Sequence, residues 1–385
     1  MKILQLISTL NPEYGGPVEG LKQMSLALSQ LGHDVKVGTF DDPKSPWLSK
    51  FPIETLTFGR SYSKFRLNFN FIPWIRLNAH KFDVVIINGI WQFHSVGAWY
   101  SLRASKVPYF IYPHGMMDPW FKKAYPIKHI KKLLFWILFE RFAFQCAKAI
   151  LFTTAVEQNL ASQSFWPYEC KSFVSKFGIT GFKGDRKYSS ELFFNNFPKL
   201  KGKKIFLFLS RIHRKKGCDL LLHAFSKIST IDDTRHLLFI GPDEDGWRAD
   251  LERMAEKLGV SAKVSWLGMV NDDLKWGAYN SSEAFVLPSH SENFGSVVPE
   301  ALSCGLPVLI SNKINISDLI RKDGAGFVEN DDLDGVDKLF NIWLSISEEQ
   351  KLLMRQAAYR CFIQNFEISS AAHKLSQLLS AEPEN

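Results

Sequence analysis

Three observations predict an α/β protein with two parallel-sheet domains. The chain has 385 residues, more than a single hydrophobic core usually organises. Short apolar runs alternate with stretches of helical periodicity, an order typical of βαβ units. Several of these runs end at glycine-containing loops, the position at which open parallel sheets bind ligands. A polar segment containing Gly181 and Gly184 predicts a domain boundary near residue 180.

Composition indicates a globular protein. Hydrophobic residues make up 46% of the chain and charged residues 22%. The five cysteines show no spacing typical of a metal site or a disulfide framework. No apolar stretch reaches the ~18 residues of a transmembrane helix, and the first strand-like run is too short for a signal peptide. We therefore expect a cytoplasmic protein.

The charge is distributed unevenly along the chain. Residues 1–190 carry 24 Lys and Arg against 12 Asp and Glu, whereas residues 191–385 carry 23 against 27. A basic half beside an acidic half suggests an anionic partner for the first half only. Nucleic acid and an anionic membrane surface are both compatible with this charge.

The first domain begins with a predicted βαβ unit. Residues 3–7 form a strand, a loop with Gly15 and Gly16 follows, and apolar positions at helical spacing predict a helix over residues 18–31. The next strand is predicted at residues 35–37. The full GxGxxG fingerprint is missing, so the glycine turn has either a structural role or one next to a phosphate.

Two further strand ends carry candidate polar groups. Residues 41–80 are predicted to be largely irregular, with a helix or an aromatic loop near their end. After a strand at residues 84–87, Trp91 and His94 either line an acceptor pocket or belong to the core. After a strand at residues 109–112, His114 lies in a turn, and Asp118 is predicted to cap the next helix.

A basic, apolar segment follows, and its lysines are interspersed with Phe121, Trp136 and other large side chains. Lysine beside aromatic residues is typical of helices that bind anionic lipid at a membrane surface. A solvated, lysine-bearing face on a packed helix is the alternative. The lysines are Lys122, Lys123, Lys128, Lys131 and Lys132.

The second domain opens with a strand at residues 205–209 and a basic loop that contains Arg211 and Lys216. Arginine and lysine at a strand end can neutralise a diphosphate, although a basic loop is often only solvated. Strands at residues 236–240 and 264–267 are followed by Gly241 and Met269, respectively.

The stretch 285–311 combines a buried strand, a polar loop, a short helix over residues 296–304 and another strand. Glu292 lies in the loop and Glu300 lies on the helix. A carboxylate here can accept hydrogen bonds from sugar hydroxyls or stabilise developing positive charge. A solvated loop glutamate and a glutamate favoured by the helix dipole are the alternatives.

This stretch resembles the donor-site signature of the retaining glycosyltransferases of family four, which have the GT-B fold. The shared residues are Glu292-Asn293-Phe294-Gly295, Pro299-Glu300-Ala301-Leu302 and Gly305-Leu306-Pro307-Val308. The resemblance implies two Rossmann-like domains facing across a cleft, an acceptor domain at residues 1–180 and a donor domain at 181–365. It also implies that a C-terminal helix at about residues 366–385 packs back on the first domain.

The resemblance implies roles for individual residues. Glu292 meets the donor sugar, Glu300 grips the ribose, and Arg211 with Lys216 binds the diphosphate. His114 contacts the donor sugar or orients the acceptor, so His114 and Glu292 are the expected catalytic residues. The expected donor-binding residues are Gly15, Gly16, Arg211, Lys216, Gly241, Met269, Glu292, Asn293, Phe294, Gly295 and Glu300.

The implied reaction moves a sugar from a nucleotide sugar to a hydroxyl of a saccharide or lipid-linked acceptor, with retention. UDP-glucose is the default donor because it is frequent in the family. No DxD-type motif is in a matching place, so we expect no metal and no cofactor, and we expect no nucleic-acid partner. Another GT-B enzyme, inverting or a sugar-phosphate synthase, and a non-enzymatic membrane or nucleic-acid binder remain alternatives.

Overall fold

A computed structural model describes residues 1–120, 122 and 125–381. Its contacts divide the chain into two compact units. Unit 1 comprises residues 1–179 and the C-terminal segment from Ile368, and unit 2 comprises Thr180–Glu367. Phe121 and Lys123 of the basic segment, and residues 382–385 of the predicted C-terminal helix, lie outside the described residues.

Unit 1 contains a seven-stranded parallel sheet with the order β3-β2-β1-β4-β5-β6-β7. The apolar runs predicted as strands at residues 3–7, 84–87 and 109–112 lie in the buried centre of this sheet, as expected for a parallel sheet with helices on both faces. The strands are β1 (Lys2–Ile7), β2 (Asp34–Thr39), β3 (Thr55–Thr57), β4 (Val84–Asn88), β5 (Tyr109–Tyr112), β6 (Ala149–Phe152) and β7 (Ser172–Val174).

The helices of unit 1 pack on the two faces of this sheet. Their bounds are α1 (Gly16–Gln30), α2 (Phe71–Asn78), α3 (Phe93–Leu102), α4 (Pro126–Phe135), α5 (Arg141–Cys146), α6 (Ala155–Ala161) and the C-terminal α15 (Ile368–Ser380). A π-helical turn, Trp136–Glu140, joins α4 to α5. One apolar cluster lies beneath α2, α3 and α5, and another joins α1 and α15 to the opposite face.

Helix α15 completes unit 1 from the far end of the chain. Its residues Ala371, Ala372 and Leu375 are buried in the same cluster as Met24 and Leu28 of α1. The His33 Nε2 atom lies 2.8 Å from the Ser376 Oγ atom. The C-terminal segment is therefore part of the core of unit 1.

Unit 2 contains a six-stranded parallel sheet with the order β10-β9-β8-β11-β12-β13. The strands are β8 (Lys204–Leu209), β9 (Arg235–Ile240), β10 (Val264–Trp266), β11 (Ala284–Leu287), β12 (Val308–Ser311) and β13 (Gly326–Glu329). The helices are α7 (Arg186–Asn196), α8 (Cys218–Ser229), α9 (Arg248–Lys257), α10 (Asp272–Asn280), α11 (Val297–Ser303), α12 (Ser317–Asp323), α13 (Leu333–Ser345) and α14 (Glu348–Asn365).

The predicted fold class, two parallel-sheet α/β domains, is confirmed. Within residues 41–80, β3 was not predicted, whereas α2 corresponds to the helix alternative near the end of this stretch. Among the described residues, no helix is both long enough and apolar enough to cross a bilayer.

Candidate active site

The strand order of unit 2 fixes where its loops converge. Strand β8 pairs with β9 on one side and with β11 on the other, so the chain reverses its direction of winding between β8 and β11. At such a switch point, the loops that follow the two strands diverge and leave a crevice for a ligand. These loops are residues 210–217 after β8 and residues 288–296 after β11.

The two loops touch each other through their backbones. The His290 N–H group donates to the Lys215 carbonyl at 2.8 Å. Gly217 has φ +68°, and a Cβ atom there would lie 2.4 Å from the Pro288 carbonyl oxygen. Only glycine fits both the conformation and the space, so Gly217 lets the first loop lie against the second.

Lys216 and Glu292 form an ion pair at this contact. The Lys216 Nζ atom donates to Glu292 Oε2, and the Lys216 side chain is buried. Lys216 ends the 3-10 helix Arg214–Lys216, which His213 caps by accepting a hydrogen bond from the Lys215 N–H group at 3.0 Å. The sequence prediction named both partners of this pair, and the structure brings them together.

The loop that carries Glu292 is held on a neighbouring segment. The Glu292 N–H group donates to the Lys313 carbonyl at 3.0 Å, and the Asn315 N–H group donates to the Glu292 carbonyl at 3.1 Å. Gly295 has φ +65°, and a Cβ atom there would lie 2.8 Å from Glu292 Cγ. The Glu292 side chain therefore lies over a position that must be glycine.

Arg211 has a different anionic partner from Lys216. Its Nη1 atom donates to both carboxylate oxygens of Glu244, at 2.7 and 2.9 Å, and its side chain is mostly exposed. That Arg211 and Lys216 bind one diphosphate therefore stays a prediction. Glu244, which the sequence analysis did not name, is the anionic partner of the Arg211 guanidinium group.

Position 241 requires glycine for a structural reason, because the backbone of the Ser210–Arg211 loop lies directly against it. Gly241 has φ +141°, and a Cβ atom there would lie 1.9 Å from the Ser210 carbonyl oxygen. The Gly241 N–H group donates to the Gly268 carbonyl at 2.8 Å. Gly241 thus allows the loops after β8, β9 and β10 to approach one another.

Glu300 is largely buried, with 13% of its side chain exposed, and has two partners on α10. Its Oε2 atom accepts a hydrogen bond from the Tyr279 hydroxyl at 3.0 Å, and Lys275 Nζ lies 3.3 Å from Oε1. Burial raises the pKa of Glu300, and the charge of Lys275 opposes this rise. Sequence reasoning missed Lys275 and Tyr279, although their spacing of four residues places them on one face of a helix.

Other predicted donor residues fall into different environments. Met269 is exposed, in the loop after β10. The Asn293 Oδ1 atom accepts from Asn315 Nδ2 at 3.3 Å. The Phe294 ring is buried with its centroid 5.9 Å from that of Phe366, so its side chain serves packing.

In unit 1, His114 follows β5 with φ +51° and stacks on Tyr112, with 5.4 Å between ring centroids. Asn88 Nδ2 donates to Gln5 Oε1 at 3.1 Å, which turns Asn88 Oδ1 toward His114 Nε2, 3.1 Å away. Nε2 therefore carries the imidazole proton, and Nδ1 is the acceptor. Burial lowers the pKa of His114 to about 4, so the ring is neutral at pH 7.

Glu157 holds the turn in which His114 lies, and sequence reasoning missed it. The Gly115 N–H group donates to Glu157 Oε1 at 2.6 Å. The Thr153 N–H and hydroxyl groups donate to Glu157 Oε2 at 2.8 and 2.6 Å. The buried carboxylate thus ties the end of β6 to the turn after β5.

Gly15 precedes α1 and Gly16 is its first residue, and both glycines are exposed. Gly15 has φ +67°, whereas a Cβ atom at either glycine would meet nothing within 4 Å. Backbone conformation therefore requires glycine at position 15, and open space remains beside the first turn of α1.

The acceptor prediction for His94 requires correction. His94 is 1% exposed, and its Nε2 atom lies 3.0 and 3.1 Å from the carbonyl oxygens of Asn88 and Gly89. Trp91 is half-buried; its ring packs on Phe165 with 4.9 Å between centroids, and its Nε1–H group donates to the Met116 carbonyl. Both residues fit the core alternative.

The described residues contain no group of three or more His, Cys, Asp or Glu side chains arranged to hold a metal ion.

Two family models match the chain. The model of the group 1 glycosyl transferases matches residues 189–360, and the model of the glycosyl transferase 4-like domain matches residues 15–169. Together they cover most of both units.

Solved structures share the fold over the whole chain. HepE from Anabaena in complex with UDP and glucose has a TM-score of 0.77, with 18% identity and coverage of 99% of this chain and 100% of that one. Sucrose-phosphate synthase from Thermosynechococcus elongatus has a TM-score of 0.79, with 17% identity and 98% coverage of both chains.

A curated relative is similar over a shorter segment. An uncharacterised glycosyltransferase, MJ1607, from Methanocaldococcus jannaschii is 33% identical over 145 residues, which are 36% of this chain and 36% of that protein. The matched part thus spans about a third of the length of this relative.

Proposed function

We infer the function from one premise: the chain belongs to the glycosyltransferases of the GT-B type, with a glycosyl transferase 4-like domain followed by a group 1 glycosyl transferase domain. We propose that it transfers a sugar from a nucleotide sugar to a hydroxyl group with retention at the anomeric carbon. The observation that carries the proposal is the Lys216–Glu292 ion pair at the switch point of the unit 2 sheet.

The chemistry of this pair fits a leaving nucleoside diphosphate. When a donor binds, the diphosphate would replace Glu292 as the ion-pair partner of Lys216. The released carboxylate would accept hydrogen bonds from sugar hydroxyls. Lys216 would then neutralise the charge that develops as the bond between the anomeric carbon and the phosphate oxygen breaks. Glu292 would stabilise the oxocarbenium-like sugar.

Retention requires the acceptor to attack from the face that the diphosphate leaves. A diphosphate oxygen would take the proton of the acceptor hydroxyl, so no protein nucleophile is needed. Lys216 supplies the positive charge, and Arg211 would add to it after leaving Glu244. We therefore propose that the reaction does not require a metal ion.

We propose that unit 2 binds the donor, with Glu300 accepting hydrogen bonds from the ribose hydroxyls, and that unit 1 binds the acceptor. A UDP-sugar, by default UDP-glucose, is the proposed donor. The UDP and glucose bound to HepE support this choice at the level of a shared fold. The neutral His114 ring, with Nδ1 as acceptor, would contact a hydroxyl of the donor sugar or of the acceptor.

The proposed acceptor is a saccharide or a lipid-linked saccharide of envelope or exopolysaccharide synthesis. The basic charge of residues 1–190 supports an acceptor that lies at an anionic membrane. The enzyme would then work at the inner face of that membrane as a peripheral protein.

A second candidate is a sugar-phosphate synthase, which the similarity to sucrose-phosphate synthase favours. This enzyme would use the same donor and differ in its acceptor. Addition of fructose 6-phosphate to a reaction with UDP-glucose would consume the donor if the second candidate is right.

A thermal-shift series with UDP-, GDP- and ADP-sugars tests the donor proposal, followed by hydrolysis assays with the best binder. A UDP-sugar is expected to raise Tm most, and hydrolysis should release the sugar with its anomeric configuration retained. Lys216→Ala and Glu292→Gln should lose most of the hydrolysis. If no nucleotide sugar raises Tm and both variants keep the wild-type rate, the proposal is wrong.

A further inference from the structure

Helix α4 and the π-helical turn expose a stripe of apolar side chains. Ile127, Ile130, Leu134 and Leu138 follow one another at intervals of three, four and four residues, which places them on one helical face. Each is exposed by 58–74%, and α4 buries none of its residues completely. Contiguous exposed apolar side chains of this kind mark an interaction surface.

The opposite face of the same segment attaches it to unit 1. Trp136 is fully buried, and Leu133 and Ile137 pack against the core cluster beneath α2 and α3. The stripe is therefore not needed to hold the segment on the domain.

The charge beside the stripe has a single sign. Residues 119–139 contain five lysines and no Asp or Glu. Lys128 and Lys131 are exposed, and the helical period places Lys131 directly beside Ile127 and Leu134. A surface that is apolar in the middle and bordered by the lysines of its own segment is complementary to an anionic lipid bilayer.

An exposed tryptophan stands next to this helix. Trp166 is 81% exposed. The adjacent Phe165 stacks on His129 of α4 with 4.9 Å between ring centroids, and Trp136 Nε1–H donates to the Pro167 carbonyl at 2.9 Å. Tryptophan side chains are favoured where a membrane meets water, because the ring is apolar and its N–H group is polar.

A groove continues the apolar surface on the other side. It has a volume of about 530 Å³ and lies among Ile72, Phe93, Trp99, Tyr100, Leu138 and Phe139. Leu138 belongs to both the stripe and the groove. Two arginines stand over aromatic rings nearby, Arg103 over Tyr100 at 4.3 Å and Arg141 over Phe142 at 4.4 Å.

We propose that the stripe, Trp166 and the groove form one docking face, which inserts into the interface of an anionic phospholipid bilayer while the flanking lysines contact lipid phosphates. The inference rests on the proposed function only in that a lipid-linked acceptor would lie in the same bilayer. It goes further by assigning the membrane contact to particular side chains and to anionic lipid.

Flotation of the full chain with vesicles tests the face. The protein is expected to float with phosphatidylcholine vesicles that contain phosphatidylglycerol, and at least about tenfold less with phosphatidylcholine alone. The double variant Ile130→Ser with Leu134→Ser should reduce binding to the anionic vesicles at least about tenfold, because two inserted side chains are lost.

The matched control makes the same change on another exposed apolar pair. Leu352 and Leu353 on α14 of unit 2 are 57% and 56% exposed, so Leu352→Ser with Leu353→Ser should leave vesicle binding unchanged. The variant Lys128→Gln with Lys131→Gln should lose the preference for anionic vesicles. The matched control for this lysine variant is Lys199→Gln with Lys201→Gln in unit 2, which should keep the preference for anionic vesicles.

Several outcomes would overturn the proposal. One is that the wild-type protein does not bind anionic vesicles. Another is that Ile130→Ser with Leu134→Ser binds these vesicles as well as the control Leu352→Ser with Leu353→Ser does. A wild-type dimer that Ile130→Ser with Leu134→Ser converts to a monomer would assign the face to a second copy of the chain instead. Hydrolysis of UDP-glucose without vesicles is measured in parallel; its absence from the wild type would count against the proposed function and not against the docking face.

Discussion

At the scale of single residues, the ionisation of the largely buried Glu300 carboxylate depends on one neighbouring cation. Lys275 lies 3.3 Å from Glu300 Oε1 and opposes the rise in pKa that burial causes. In the ribose role proposed for Glu300, the ionised carboxylate accepts hydrogen bonds from the hydroxyls with both oxygens, whereas protonation makes one oxygen a donor. Donor binding should therefore weaken as Glu300 becomes protonated at low pH.

The variant Lys275→Met should move this weakening to higher pH, because the pKa of Glu300 rises further when the lysine charge is lost. The expected result is a KM for the UDP-sugar that rises at a higher pH than in the wild type, while kcat changes less. Steady-state kinetics between about pH 5 and pH 8 measures it. Lys199→Met, at an exposed lysine of the same unit, is the control, and an identical pH dependence of KM in both variants would contradict the role of Lys275.

A second residue-scale prediction concerns stability against acid. Burial lowers the pKa of His94 to about 4, whereas a histidine in the unfolded chain has a pKa near 6.5. Between these values the unfolded chain binds a proton that the folded chain does not. Stability must therefore fall as pH decreases from about 6.5 to about 4, by up to ~1.4 kcal/mol per pH unit for this group.

His94→Gln keeps a side-chain donor for the carbonyls of Asn88 and Gly89 but does not titrate. The loss of Tm between about pH 7 and pH 5 should be smaller in this variant than in the wild type. Thermal unfolding followed by circular dichroism measures the difference, with the exposed His373→Gln as control. Equal losses of Tm in all three proteins would show that His94 does not contribute.

At the scale of secondary-structure elements, glycine positions decide how the loops of unit 2 meet. A Cβ atom at Gly241 would lie 1.9 Å from the Ser210 carbonyl, so Gly241→Ala must displace the loop that carries Arg211. We expect a lower Tm and weaker UDP binding. Gly16→Ala is the control for the change in Tm. A Cβ atom at Gly16, at the start of α1, would meet nothing within 4 Å, so this variant should not lower Tm.

The sequence predicted the elements whose boundaries carry strong local signals. Strands β5, β8 and β9 follow from apolar runs that end at glycine or at polar loops. Helix α10 was not predicted, and α2 was predicted only as one of two alternatives, because aromatic and polar residues mask the apolar faces of both helices. The partners of Glu300 on α10 were therefore missed as well.

The candidate site shows the same limit. Glu292 and Lys216 could be named from the loops in which they lie, and they form an ion pair. Glu244 and Glu157 could not be named from the sequence. Glu244 pairs with Arg211, and Glu157 accepts a hydrogen bond from Gly115, and each partner is far away along the chain. Whether His94 points into the core or out of it depends on the orientation of α3, which periodicity over one short loop does not determine.

At the scale of the whole molecule, the C-terminal helix links the end of the chain to the first unit. Leu375 of α15 is 1% exposed in the cluster that α1 shares. Leu375→Ala should destabilise unit 1 by about 2–5 kcal/mol, because it leaves a cavity in this core. Leu352→Ala, at an exposed position of unit 2, should cost far less.

Limited proteolysis over a temperature series measures this difference, since it reports which unit opens first. Faster cleavage within residues 1–179 in Leu375→Ala, with unit 2 unchanged, is the expected pattern. A uniform loss of protection across the chain would mean that α15 does not stabilise unit 1 in particular.

The central claim is that Lys216 of unit 2 neutralises a nucleoside diphosphate without a metal ion. Calorimetric titration of UDP into the wild type and Lys216→Ala, in buffer with EDTA, tests it most directly, with Lys215→Ala as the neighbouring control. We expect the wild type and Lys215→Ala to bind UDP under these conditions, and Lys216→Ala to bind it at least about tenfold more weakly. Binding that disappears with EDTA in the wild type, or that Lys216→Ala retains in full, would contradict it.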